Sequence, residues 1–75
     1  MKVLFDIGQS VDVNSRQCRI AGMTEYLLDV QGKFDNCNYY LGQPVAVNGI
    51  RFTIIGIDSE YLHLEICGEY TMGEA

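Results

Sequence analysis

Nowhere in the 75 residues does an apolar run approach the roughly 18–20 residues that a membrane-spanning helix needs. The first residues also lack the basic start and apolar stretch of a secretory leader, so a cytoplasmic chain with no membrane partner is expected. Basic residues are scarce: five Lys and Arg stand against ten Asp and Glu, for a net charge of −5. Phosphate backbones are bound by Lys and Arg that release counterions, and Lys2, Arg16, Arg19, Lys33 and Arg51 are the whole supply, which argues against a nucleic-acid partner. The carboxylates form no block, so the acidic balance serves solubility.

Proline occurs once, and the eight glycines are scattered as turn punctuation without a linker or low-complexity tract. Along the chain no internal repeat stands out, and the length allows one domain, residues 1–75. The cysteines, Cys18, Cys37 and Cys67, are odd in number, which fits reduced thiols. With His63 they lack the close-paired spacing of a structural zinc site, so buried, inert thiols are expected and no metal or cofactor. Phosphate-cradling loops, a nucleophile elbow and a metal-binding His-Glu-x-x-His are all missing, and nothing supports a catalytic pairing of Cys37 with His63. The expectation is a chain that is not an enzyme.

What the sequence does have is β-forming residues. Hydrophobic residues make up 48%, and Val and Ile together outnumber Leu by about two to one. Branched Cβ atoms lose rotamer freedom on a helix and pack well on a pleated surface. Val3, Phe5 and Ile7 point one way and Lys2 and Asp6 the other, with Leu4 the exception, as in a half-buried strand. Val11-Asp12-Val13 resumes the alternation after a turn at Gly8 to Ser10, and Asn14-Ser15 offers a tight reversal with Gln17 to Ile20 as partner. The stretch from Gly22 to Gly32 admits either a strand through Tyr26, Leu28 and Val30 or a short helix capped by Thr24. The strand is favoured, because the helix would have barely two turns and no capping-box glutamate.

Asn48-Gly49 between two β-rich runs predicts a type I′ hairpin with Val47 facing Ile50, Val45 facing Phe52 and Gln43 facing Ile54. Its opposite face begins as Ala46, Arg51 and Thr53 and becomes Ile55 and Ile57, so a change of buried side is expected near Gly56. Asp58-Ser59-Glu60 forms a turn, and Leu62, Leu64 and Ile66 alternate with His63, Glu65 and Cys67 as a last strand. Residues 68–75 lack periodicity and are expected to form a loosely ordered tail. The sum is an all-β fold: a small antiparallel barrel or rolled meander of five to seven short strands. The run Gly42 to Ile57 resembles hairpins of SH3-like barrels. That resemblance covers about a fifth of the chain and implies architecture alone.

For function, the loop Asp35 to Tyr40 draws attention, because Tyr offers a large contact area with a polar tip. Asn36, Asn38, Tyr39 and Tyr40, with Tyr61 added and Arg51 as a charged anchor, are the candidate binding residues; the alternative is that the rings cap the core. The expected role is a non-enzymatic protein-interaction module, such as a small intracellular inhibitor of phage or mobile-element type, or a self-associating assembly subunit. The rival is an oligomeric binder of a small planar or anionic ligand, held between subunits by Tyr39, Tyr40 and an Arg.

Overall fold

The computed structural model describes residues 1–34 and 39–75, so Asp35, Asn36, Cys37 and Asn38 lie outside the described residues. The strands are β1 (Lys2–Phe5), β2 (Ser10–Val13), β3 (Arg16–Met23), β4 (Leu27–Gln31), β5 (Pro44–Val47), β6 (Ile50–Ile57), β7 (Tyr61–Ile66) and β8 (Thr71–Glu74). Six of them close an antiparallel barrel in the order β2-β3-β4-β7-β6-β5, and β1 and β8 pair separately in parallel. The fold is thus the small barrel that composition and alternation predict. Inward positions carry apolar side chains, and Val13, Leu28, Val30, Val47, Phe52, Leu62 and Leu64 are wholly buried. Among the described residues no polar or charged residue is buried.

The stretch with two readings is a strand: β4 begins at Leu27. Thr24, read as a helix cap, instead closes a tight turn, its Oγ1 accepting a hydrogen bond from Leu27 N at 3.0 Å. The six strands of the barrel fall within the five to seven expected, and among the described residues β1 and β8 add a separate pair, because the tail is a strand as well. Residues 71–74 pair in register with Lys2 to Phe5, and Met72 is buried. With Met72 as the one buried apolar side chain and a parallel partner at the other end of the chain, β8 has no local periodicity by which to be read. Ile7, expected to line the first strand, is instead exposed, since β1 stops at Phe5 and the chain turns at Gly8 with φ +89.

The absence of a repeat is the main point that the structure corrects. Gly8-Gln9-Ser10-Val11-Asp12-Val13-Asn14 recurs as Gly42-Gln43-Pro44-Val45-Ala46-Val47-Asn48, and each shared residue does the same job in both places. Gly8 and Gly42 take φ +89 and +86, and their N–H groups donate to Ile20 O and Ile54 O, both at 2.7 Å. Gln9 Oε1 accepts from Asp6 N at 2.8 Å, and Gln43 Oε1 accepts from Tyr40 N at 3.0 Å. The valines enter the core. Asn14-Ser15 and Asn48-Gly49 all have positive φ, the type I′ geometry that hairpin twist selects.

This correspondence runs on at the same spacing through the strand ladders. Val11 pairs Cys18 as Val45 pairs Phe52; Ile20 pairs Val30 as Ile54 pairs Leu64; Met23 pairs Leu28 as Ile57 pairs Leu62. β3 and β6 each carry a bulge at the same place, after Ile20 and after Ile54. The barrel is two copies of one three-stranded unit, β2-β3-β4 and β5-β6-β7, related by a local twofold. The halves meet at two seams, β4 against β7 and β2 against β5. At the second, Val13 faces Val47, and each Asn reaches across: Asn48 Oδ1 accepts from Asp12 N at 2.8 Å and Asn14 Oδ1 from Ala46 N at 2.9 Å.

The bulge also explains the expected change of face at Gly56. Ile55 is the extra residue, so the pairing steps from Ile54↔Leu64 to Gly56↔His63. The phase of β6 does shift there. The apolar side chains after the shift do not enter a second core, since Ile55 is 48% exposed and Ile57 lies at the barrel rim, 38% exposed.

Candidate functional site

The twofold passes through one cross-strand pair on the outer wall: Asp29 of β4 opposite His63 of β7. Both side chains face outward because their chain neighbours, Leu28 and Val30, Leu62 and Leu64, are fully buried. On either side the next residue in the row is a bulge glycine, giving Gly22–Asp29–His63–Gly56 across four strands. The glycines are needed for room. A Cβ on Gly56 would lie 2.8 Å from His63 Cδ2, and one on Gly22 would lie 3.3 Å from Asp29 Oδ2.

His63 is held from both sides. Its Nδ1 lies 2.6 Å from Asp29 Oδ1, and its Nε2 lies 2.9 Å from Asp58 Oδ2 in the turn after β6. Carboxylate oxygens accept, and a neutral imidazole has one N–H to offer, so only the imidazolium donates to both. The hydrogen bond to Asp58 and then that to Asp29 accordingly raise the His63 pKa above its usual value, against a weaker opposing effect of burial. Half-exposed side chains keep water close, which limits each ion pair to a modest contribution. Among the described residues no group of three or more His, Cys, Asp and Glu side chains is placed to hold a metal ion. With both ring nitrogens engaged by carboxylates, the arrangement is suited to holding a proton and tying two strands and a turn together.

Of the candidate binding residues, Asn36 and Asn38 lie outside the described residues. Tyr39 is half-buried with its ring edge-on to Phe34, centroids 5.7 Å apart, so it serves the core at one end of the barrel. Tyr40 is 61% exposed. Arg51 is exposed on β6 opposite Ala46, and its carbonyl accepts from Cys67 N beyond the far end of β7. Tyr61 opens β7 opposite Gln31, so about 20 Å of strand separates it from the Arg51 end. Tyr39 and Tyr61 thus lie away from Arg51. The sequence offers His63 only cysteines as companions, for a zinc site or a catalytic pair; its partners are instead Asp29 and Asp58, brought to it by register and by a turn.

The protein matches no known family model, no curated protein and no solved structure with which it was compared. No helix among the described residues is long and apolar enough to cross a membrane.

Proposed function

We propose that the chain is a non-enzymatic interaction module that meets a protein partner, or another copy of itself, with the outer surface of its second half. The observation that carries this is the difference between the two halves at positions the fold leaves free. Tyr40, Leu41 and Ile55 of the second half correspond to Asp6, Ile7 and Ala21 of the first. The backbone is the same at both places, and the first half builds its turn and bulge with Asp6 and Ala21, so folding does not require Tyr40 or Ile55; Leu41 matches Ile7, which is likewise exposed. Yet Tyr40, Leu41 and Ile55 stand 61%, 65% and 48% exposed, and the segments that carry them adjoin, since Gly42 and Gln43 bond to Ile54 through the backbone. Apolar side chains kept in water where the fold is indifferent support association. An inhibitor and an assembly subunit are both forms of such a module.

Native mass spectrometry tests this with the wild-type chain and the double variant Tyr40→Asp, Ile55→Ala, which imports the first half's residues. Expected are an oligomer or a protein complex for the wild type and a monomer for a variant of unchanged thermal stability. A wild-type monomer recovered bare, or with only a small-molecule adduct, overturns the proposal.

A further inference from the structure

The clamp on His63 has consequences beyond its own strands, because the turn it holds is also the anchor for the start of the segment that leads to Tyr40. Glu60 O accepts from Gly32 N at 2.9 Å, and Ser59 O accepts from Phe34 N at 2.9 Å. Phe34 is buried, closes this end of the barrel and carries Tyr39 on its ring. We propose that the Asp29–His63–Asp58 clamp is a proton-operated latch that holds the 58–60 turn, and through it the Phe34 plug beneath Tyr39, the residue before Tyr40, firmly at low pH and loosely at high pH. This rests on the interaction-module reading for its purpose, since Tyr40 belongs to the proposed contact surface.

The groups facing His63 are few. From β4 comes Asp29, and from the turn Asp58; β6 offers Gly56, which has no charge; on the outer face of β7 itself stand Tyr61 and Glu65. A group whose pKa is higher folded than unfolded contributes stability that is complete below the unfolded value and is lost as pH rises through the folded one. The latch therefore opens as pH rises through the folded-state value of His63, which lies above that of an ordinary histidine.

The other half provides an internal control. There the equivalent turn, residues 24–26, anchors Ile66 N on Tyr26 O at 2.9 Å and Met72 N on Glu25 O at 2.8 Å. Thr24 stands where Asp58 stands and bonds to its own turn instead of to a histidine. The two ends share a backbone plan and differ in the latch.

Amide hydrogen exchange on the intact chain, without any partner, reads the latch directly. Between pH ~6 and ~9, after correction for intrinsic base catalysis, exchange at Gly32 and Phe34 should speed up roughly tenfold relative to Ile66 and Met72. In His63→Gln and in Asp58→Asn that ratio should be independent of pH. A constant ratio in the wild type, or a step that survives in His63→Gln, overturns the latch. Because exchange is measured with no partner present, its failure is distinct from a failure of the association test on Tyr40 and Ile55.

Discussion

The first and second halves of the barrel have one backbone plan and different side chains, and the comparison separates what the fold demands from what it tolerates. Repeated without change are Gly8 and Gly42, Gln9 and Gln43, the valine pairs, Asn14 and Asn48, Ile20 and Ile54, Gly22 and Gly56, and Leu28 and Leu62. Each occupies a place where geometry leaves little choice: a left-handed residue, a turn closed by an amide, a core position, or a crowded row across the bulges. Free to differ are the outward positions, Arg19 against Thr53 and Ala21 against Ile55, and the axial pair Asp29 against His63. On the axis, two identical residues would face one another across adjacent strands, and like charges placed so are destabilising. Asp opposite His turns that contact into attraction.

The comparison breaks most severely in the core. Phe52 corresponds to Cys18, and both are buried at 0% and 5% exposure. Phe52→Ala should cost about 3–5 kcal/mol in denaturant unfolding, enough to unfold a chain this small, whereas Cys18→Ala should cost about 1 kcal/mol. Equal costs would mean that the two halves share the core evenly. In the hairpin turns, Ser15 sits at φ +71 where Gly49 sits at +84. Ser15→Gly should stabilise by about 1 kcal/mol and Gly49→Ser should destabilise by a similar amount, read from the same unfolding curves.

The axial pair supplies a third test. The triple variant Thr24→Asp, Asp29→His, His63→Asp moves the whole clamp to the other half, and pH-dependent amide protection should move with it from Gly32 and Phe34 to Ile66 and Met72. Thermal melting provides a coarser check. The raised pKa of His63 means that wild-type stability declines as pH rises through the folded value, and His63→Gln should flatten that slope. The smallest expected effect is at the outer surface, where Tyr40→Asp with Ile55→Ala should leave stability within about 0.5 kcal/mol. The association state is what that variant should change.

The strands on which these tests rest were largely legible in the residues. Leu62-Leu64-Ile66 and Val45-Val47 alternate, and Asn48-Gly49 and Asn14-Ser15 mark the reversals; all of these signals are local. The seven-residue recurrence beginning at Gly8 and Gly42 was equally present. It is easily passed over, because beyond Asn14 and Asn48 the halves keep identical residues only at core and glycine positions. The candidate site was much less legible. His63 reads as an isolated histidine on a strand face, since nothing near it in sequence identifies Asp29 as its neighbour. Asp58 reads as a turn residue. The tyrosine-rich loop attracted attention by composition, yet Tyr39 proved to be a core ring.

By itself the sequence determined the β class, the hairpin turns and the inward face of most strands, because alternation and left-handed turn residues act over a few positions and need no distant partner. The tertiary structure alone decided the closure at Val13 and Val47, the parallel pairing of β1 with β8, the pairing of Asp29 with His63 and the exposure of Ile55. All of these depend on the register between segments far apart in the chain, and at the bulges of β3 and β6 one added residue shifts that register and with it every side chain that follows.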